Sequence, residues 1–445
     1  MRTLLLMRGI MGAGKAQPLT SKILKTNGEW ILMKDIKVGD EIFDGLGNPT
    51  KVIGVYPQGL KDVYELITYD NRKCLASSEH LWKVRTVKQR SKYNNSTPIL
   101  EQYFKIYTTS ELVEDINKEI KKRVQIPVPK KIEYSEKNLK IPPYLLGALL
   151  GDGCLSGHLK VYFSNTELDV IDKVKKTIEE TYPNLTLKKN NYCRCQYILQ
   201  YKNGYDHKNI NNKKLLKDLE YYNLSGTKSH NKFIPNEYLL GSSEQRLELL
   251  KGLMDTDGYS YDGSYSISTT SKQLMKDLVC LGRSLGYITT VHTEERNGKY
   301  KNSKCLYKVR FQTNDVIVSS KKHINKLTHK NKKYYSHIYF KSINYIGKLE
   351  CQCIKVDSQD ETYITDDFIV THNTTYIQEN GLKPYTLCAD DFRTMICNPI
   401  LVLNGDLSIS QQNDRIAWNM LYSALEERMK EGHFTIIDAT HINPK

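Results

Sequence analysis

One motif in this chain is cut in two, and the cut limits how everything between its halves can fold. Gly9-Ile10-Met11-Gly12-Ala13-Gly14-Lys15 directly follows the apolar run Leu4-Leu5-Leu6-Met7. That is the strand, glycine loop and lysine of a phosphate-binding loop, whose backbone N–H groups cradle the phosphates of a nucleotide. Such a loop needs Ser or Thr immediately after the lysine, because a hydroxyl there ligates the Mg²⁺ of the nucleotide. Position 16 is Ala, and the missing hydroxyls stand at Thr374-Thr375. Removing residues 16–373 joins GIMGAGK to TTYIQENG and restores an unbroken Walker A loop. The chain therefore reads as a host interrupted by a guest.

Composition narrows the class. A length of 445 residues and 39% hydrophobic content suit several globular domains. The net charge of +15 favours a polyanionic partner, most simply nucleic acid. No apolar run approaches the roughly 18 residues that span a bilayer, so no membrane partner is expected. The ten cysteines are too few for a disulfide scaffold in so long a chain, and Cys193-Arg194-Cys195 and Cys351-Gln352-Cys353 lack structural zinc spacing. Reduced thiols in a cytoplasmic, monomeric protein of a bacterial or phage-like host are the expectation.

From Thr20 to Val84 short β-type runs alternate with turns such as Asn27-Gly28 and Asp44-Gly45, the pattern of a compact all-β unit. Three blocks here resemble an intein, a self-splicing insert with the horseshoe-shaped Hint fold. The first is Ala16 through Trp30. The second is Ser77-Ser78-Glu79-His80, with Ser where a Thr is usual. The third runs from Ile354 through Tyr363 to His372-Asn373, followed by Thr374. The resemblance implies acyl transfer. The first residue of the insert attacks the Lys15 carbonyl, the Thr374 hydroxyl takes over the acyl group, and Asn373 cyclises to release the insert. His80 polarises the first scissile amide and protonates its leaving nitrogen, and His372 assists the cyclisation. Ala16 has no nucleophile. The expectation is a splicing-blocked variant in which Ala replaces Cys or Ser, the other option being a natural Ala-first insert in which the downstream residue attacks directly. Glu361 and Cys353 also depart from the common pattern, where a histidine and an acid are frequent.

Between residues 131 and 333 helix and strand mix, with many Lys and Tyr. The apolar run Leu145–Leu150 leads through Gly151 to Asp152-Gly153, and Leu250–Asp257 leads to Gly258, each with a similar continuation. Such a pair marks a pseudo-twofold repeat. The two segments resemble the paired motifs of LAGLIDADG homing endonucleases, often nested in inteins. Gly147, Ala148 and Gly252 would let two helices approach closely, and Gly153 and Gly258 suit left-handed caps. Asp152 and Asp257 are the expected Mg²⁺ ligands, serving hydrolysis of double-stranded DNA at a homing site. Lys232 matches the family's catalytic lysine, which steadies the phosphorane-like transition state, and Lys308 is its candidate counterpart. Lys188, Lys189, Arg194, Lys202, Lys213, Lys214, Lys321 and Lys322, interleaved with Tyr192, Tyr197 and Tyr201, form the expected DNA surface.

After residue 373 the order helix, strand, helix, strand points to an α/β nucleotide-binding fold. The host resembles P-loop polynucleotide kinases through Asp390-Asp391-Phe392-Arg393. Asp390 is the candidate base, Arg393 a substrate contact, and Gly9, Gly12, Gly14, Lys15 and Thr374 hold ATP and Mg²⁺ in the spliced product. The expected order is a kinase strand and P-loop over 1–15, the first part of a Hint domain over 16–130, an inserted α+β endonuclease over 131–333, the second Hint part over 334–373, and a truncated P-loop fragment over 374–445. The alternative reading is a polynucleotide kinase with a permanent DNA-binding insertion. A hedgehog-like module that cleaves without ligating is a further rival, opposed by the His372-Asn373-Thr374 ending.

Overall fold

A computed structural model describes residues 4–8, 16–85, 104–117, 124–157, 160–193, 195–202, 214–261, 264–295, 304–327, 337–358, 360–372, 385–397, 400–401, 407–408, 414–433 and 435–439. The chain begins with strand β1 (Leu4–Arg8), whose partners come only at the far end of the sequence.

Next comes a β unit. Strands β2 (Gln17–Pro18), β3 (Lys22–Leu24), β4 (Trp30–Leu32) and β5 (Glu41–Phe43) are short, and β6 (Pro49–Thr68) is long. The Asn27-Gly28 turn expected from sequence joins β3 to β4, with Gly28 at φ +87°, a backbone conformation suited to glycine. β7 (Lys73–Ser77) returns along β6. β8 (Leu81–Val84) and β9 (Lys105–Thr108) pair with each other, followed by helix α1 (Thr109–Asn117) and strand β10 (Gln125–Pro127).

The central unit is built twice from one plan. Helix α2 (Pro143–Asp152) leads into β11 (Gly153–Cys154) and β12 (Tyr162–Ser164), helix α3 (Leu168–Thr181), and β13 (Leu185–Lys189) and β14 (Gln196–Tyr201). After helix α4 (Lys214–Tyr221) the plan recurs as α5 (Ser243–Asp257), β15 (Gly258–Tyr261), β16 (Ser264–Thr269), α6 (Lys272–Ser284), β17 (Ile288–Glu294) and β18 (Leu306–Gln312). The sheets run β11-β12-β14-β13 and β15-β16-β18-β17, so strand order repeats as well. Local chemistry starts the helices: Pro143 occupies the first turn of α2, and Ser242 and Gln245 form a capping box on α5. One apolar core unites both halves, from Leu145, Leu149 and Phe163 to Leu253, Leu278 and Phe311.

The β unit then resumes. β19 (His337–Val356) pairs antiparallel with β6 from Phe340–Thr68 to Val356–Val52, with four register shifts. Such irregularities bend and twist a long ribbon. β20 (Thr362–Thr365) and β21 (Ile369–His372) form a hairpin, and β20 joins β3. The last segment contains β22 (Thr386–Cys388), α7 (Ala389–Ile396), the small hairpin β23 (Ile400–Leu401) and β24 (Leu407–Ser408), α8 (Asp414–Lys430) and β25 (Thr435–Ala439). β22 is short, because Ala389 already begins α7. β25 lies between β1 and β22, parallel to both. A parallel sheet thus draws strands from both sides of residues 16–373.

Helices α2 and α5 touch where the sequence placed small residues. A Cβ on Gly147 would lie 2.1 Å from the Leu249 carbonyl oxygen, and one on Gly252 would lie 2.2 Å from that of Tyr144. Gly147→Ala is expected to cost about 1–3 kcal/mol, the usual penalty for overpacking, measured as a lowered urea midpoint.

Candidate active sites

The first site forms around the turn after β7. Ser77 N–H donates to the Ala16 carbonyl at 3.0 Å, and His80 N–H donates to the Ser77 carbonyl at 3.1 Å. The His80 ring meets the Thr371 hydroxyl through Nε2. Ala16, Ser77 and His80 are buried. Residues 16 and 371, at or near the two ends of the interrupting segment, therefore converge on one four-residue turn. The Ser77 hydroxyl is fully buried and finds no hydrogen-bond partner among the described residues.

Neighbouring residues hold this turn rigidly. The Thr109 hydroxyl accepts from Trp82 Nε1 at 3.0 Å and donates to the His80 carbonyl at 3.3 Å, while the Trp82 and His80 rings pack edge to face at 4.8 Å. Gln17, next to Ala16, donates to the Leu75 carbonyl and accepts from the Tyr363 hydroxyl at 2.9 Å. Sequence reasoning missed Trp82, Thr109 and Thr371. The alternation from His80 to Trp82 and Val84 of β8 offered a faint signal for Trp82; Thr109 and Thr371 had none. His372 pairs by backbone with Thr362. Its side chain, together with Gly9, Gly12, Gly14, Lys15, Asn373 and Thr374, lies outside the described residues.

Position 353 emerges from strand register. β2 pairs with β19 as Gln17 with Gln352 and Pro18 with Cys351. The pairing ends at Gln17 with Gln352; continued by one step it would set position 353 opposite position 16, while Ala16 itself packs in a small apolar cluster with Val63 and Cys351. Directly opposed residues of an antiparallel pair hold their Cβ atoms about 5 Å apart on one face. Cys353 is a reduced, buried thiol. Its neighbour Cys351 is buried too, and burial pushes that thiol up to about 11.

The second site lies where α2 and α5 end. Asp152 is half-buried and accepts from Asn165 Nδ2 at 2.6 Å. Burial raises its carboxyl to about 6; the Asn165 bond opposes this, the Asp257 charge adds to it, and Lys232 and Lys322 oppose it. Asp257 reaches solvent yet is also raised by desolvation, with Lys232 opposing. The charge of one carboxylate thus acts on the other at the helix ends.

Two details correct the sequence reading. Gly153 has φ −77° and Gly258 φ −81°, so neither is a left-handed cap. Each passes straight from helix into strand, and glycine is required because a Cβ would sit 2.3 Å from the Leu149 oxygen or 2.2 Å from the Met254 oxygen. Lys232 turns inward, its ammonium 2.8–3.3 Å from the carbonyls of Leu149, Leu150, Gly151 and Gly153. A cation there offsets the negative end of the α2 dipole and fixes the backbone that carries Asp152. Burial pulls the ammonium below the ordinary lysine range, against the pull of Asp257 and Asp152. Lys308 is exposed in the middle of β18 between Ser268 and His292; Lys322 is the second cation coupled to Asp152.

Among the described residues no three His, Cys, Asp or Glu side chains gather as a metal cluster. Two carboxylates raised by desolvation, one of them further by its partner's charge, nevertheless fit a hard divalent cation that takes its remaining ligands from phosphate and water. Lys188, Lys189, Lys202, Lys214, Lys321 and Lys322 are exposed, and Tyr192 is 99% exposed, whereas Tyr197 and Tyr201 are half-buried and pack against the apolar core. Arg194 and Lys213 lie outside the described residues.

Near the end of the chain, Arg393 is buried and donates from Nε to Asp414 at 2.7 Å, tying α7 to α8. That is a structural pair, not the open substrate contact expected. Asp390 is the second residue of α7, with its side chain outside the described residues. Among the described residues no helix is long and apolar enough to cross a membrane.

Comparison with known proteins finds relatives for parts of the chain. The homing endonuclease family model matches residues 233–339. The replicative DNA helicase DnaB of Mycobacterium intracellulare is 25% identical over 382 residues, covering 82% of this chain and 59% of the helicase. A protein described as a probable translation initiation factor of Methanocaldococcus jannaschii is 26% identical over 296 residues, 63% of this chain and 23% of that protein. The chain thus spans less than two thirds of either relative. Among solved structures, an Ssp DnaB mini-intein variant is 10% identical with a TM-score of 0.27, covering 81% of this chain and 99% of its own. The homing endonuclease I-DmoI, in complex with DNA and Mn, is 14% identical with a TM-score of 0.28, covering 44% and 98%.

The raised Asp152 carboxyl gives a pH test. Folding holds its proton between the ordinary 3.8 and about 6, so its contribution favours the fold below that window and is lost as pH rises through about 6. Asp152→Asn is expected to raise the melting temperature of the metal-free protein above the window and leave it unchanged below.

Proposed function

We propose that residues 16–373 are a self-splicing insert carrying a DNA endonuclease, and that the flanks are pieces of a P-loop kinase. The observation that carries the first part is the meeting of Ala16 and Thr371 at the Ser77–His80 turn. The relatives add support. They are a helicase and a translation factor, unlike in activity, and each shares with this chain a segment shorter than itself.

Splicing needs a nucleophile at the first junction. The position of Cys353 favours a third option over both a blocked variant and direct attack by the downstream residue: an Ala-first insert whose nucleophile is an internal thiol. The Cys353 thiol gives up its proton to the His80 ring and its sulfur attacks the Lys15 carbonyl carbon, forming a thioester and breaking the bond to the Ala16 nitrogen, which takes that proton back from the ring. The Thr374 hydroxyl then displaces the thiol, giving an ester. The Asn373 side-chain nitrogen attacks its own backbone carbonyl and frees residues 16–373 with a terminal succinimide, His372 assisting. The amine of Thr374 then takes the acyl group from its own hydroxyl, leaving an ordinary peptide bond. Trp82 and Thr109 keep the imidazole of His80 in place.

In the central unit, Asp152 and Asp257 would hold a divalent ion, Mg²⁺ by expectation, that supplies water activation and leaving-group stabilisation in phosphodiester hydrolysis. Lys232 sets Asp152 by anchoring the carbonyl end of α2. The exposed lysines and Tyr192 would bind double-stranded DNA by its phosphates. For the flanks, the parallel sheet β1-β25-β22 supports a nucleotide-binding host whose loop, Gly9 to Lys15 then Thr374, is completed on excision. ATP with Mg²⁺ is the expected cofactor of the spliced kinase.

Mass spectrometry of the intact chain after incubation is expected to find 16–373 released and 1–15 joined to 374–445. Cys353→Ala should abolish both products, while Cys351→Ala retains them. Splicing by the Cys353 variant would sink the assignment. Asp152→Asn and Asp257→Asn should each abolish cutting of the uninterrupted host gene in the presence of Mg²⁺, scored on agarose gels.

A further inference from the structure

A buried knot of charge joins three segments that are far apart in sequence. Arg72, fully buried between β6 and β7, donates from Nε to Asp70 at 2.9 Å, from Nη1 to the Phe368 carbonyl at 2.7 Å and from Nη2 to the Tyr287 carbonyl at 3.1 Å. Arg283, the penultimate residue of α6 in the central unit, is 7% exposed. It donates from Nη2 to the Asp70 carbonyl at 3.1 Å and pairs through Nη1 with Asp367 at 3.3 Å. Asp366 and Asp367 also accept the backbone N–H groups of Lys22 and Lys73, both at 3.0 Å.

The gripped turn, Asp366–Phe368, is strained. Asp367 and Phe368 lie at φ +57° and +61°, and a bulky side chain such as Phe pays to stay there. Immediately after it β21 begins, and within four residues that strand delivers Thr371 to His80 and then His372. Two neighbouring guanidinium groups in a desolvated place are themselves costly. Burial, then Arg72, pulls the Arg283 guanidinium down to about 10, and burial pushes the Asp70 carboxyl up until Arg72 and Arg283 bring it below its ordinary value. Neither the proposed acyl transfers nor the DNA site uses these groups.

We infer that Arg283 is a positioning residue for the second splice junction: by holding Asp367 and the Asp366–Phe368 turn, α6 of the central unit sets where β21 ends. The inference rests on the splicing reading above. A central unit that was merely a tolerated loop would need no such grip, whereas this one places a buried arginine against the strand that carries the last residues before Asn373. Cleavage of the second junction therefore depends on the central unit being folded against its host domain, whereas His80 at the first keeps a hold of its own through Thr109 and Trp82.

The test uses the full chain with Arg283→Ala, Arg283→Lys and Asp367→Asn. Two products are followed by mass spectrometry: residues 374–445 freed by Asn373 cyclisation, and residues 1–15 released by added dithiothreitol from the thioester. Arg283→Ala and Asp367→Asn are expected to slow the first about tenfold or more and change the second by less than about twofold, as small misplacements at a reacting bond do. Arg283→Lys should recover part of the loss, and the double variant should fall short of the summed effects because the two groups act as a pair. DNA cutting should stay at the parent rate in all variants, which reports an intact central unit. Equal loss of both products, or no loss of either, overturns the inference. The joined product of 1–15 and 374–445 is scored in the parent as well: a parent chain that yields neither that joined product nor either cleavage product overturns the splicing reading itself, a result told apart because it precedes any comparison of variants.

Discussion

The pairing of β6 with β19 is the constraint on which the rest depends. Two strands of 20 residues each, separated by most of the chain, run antiparallel with four register shifts. Closing so long a loop costs entropy that grows only slowly with loop length, so a large unit can sit between the strands at little extra cost. The ribbon in turn places the strands beside it. β7 folds back on β6 and carries the Ser77–His80 turn, while β2 docks on β19 and brings Ala16 to that turn. Break the ribbon and position 16, His80 and Thr371 lose their common frame.

The central unit answers to a different constraint, the close approach of α2 and α5. Gly147 and Gly252 bring each backbone to within a Cβ's reach of the other, so both helix ends fall at the pseudo-dyad and both carboxylates with them. Like charges at two negative dipole ends are unfavourable. Lys232 relieves part of this from beneath, bonded to the carbonyls of α2. The remaining desolvation raises both carboxyls and leaves the place suited to a cation.

Much of this was legible in the sequence, because motifs that punctuate backbone geometry carry their reasons with them. Asn27-Gly28 and the repeated Asp-Gly after apolar helices each marked an element boundary that the structure has at that place. The failures share a physical cause. Gly153 and Gly258 were read as positive-φ caps, yet an Asp-Gly helix end is equally well explained by lack of room for a Cβ, and the sequence does not separate the two. Lys232 was read as a transition-state cation and Arg393 as a substrate contact; that the first also binds a helix end and the second a carboxylate of the next helix is settled by packing. Trp82, Thr109 and Thr371 act through contacts across the sheet that no local pattern encodes. Cys353 was noticed only as a departure, since its significance depends on a strand register invisible in one dimension.

The host sheet adds a second restraint on the ends of the interruption. β1 pairs along its whole length with β25, Leu4 with Thr435 through Arg8 with Ala439, although residues 16–373 lie between them. A parallel strand needs a neighbour to satisfy its backbone hydrogen bonds, and β25 supplies it for β1 with residues 16–373 in place. The sheet therefore holds the segments that flank residues 16–373 in one layer, independently of the β6–β19 ribbon. In the splicing reading, this lowers the entropic cost of bringing the Lys15 acyl group to Thr374, because two separately folded units hold the same two ends. In the same reading a phosphate loop is a tolerable place for a guest, because the strand before the loop already pairs with β25.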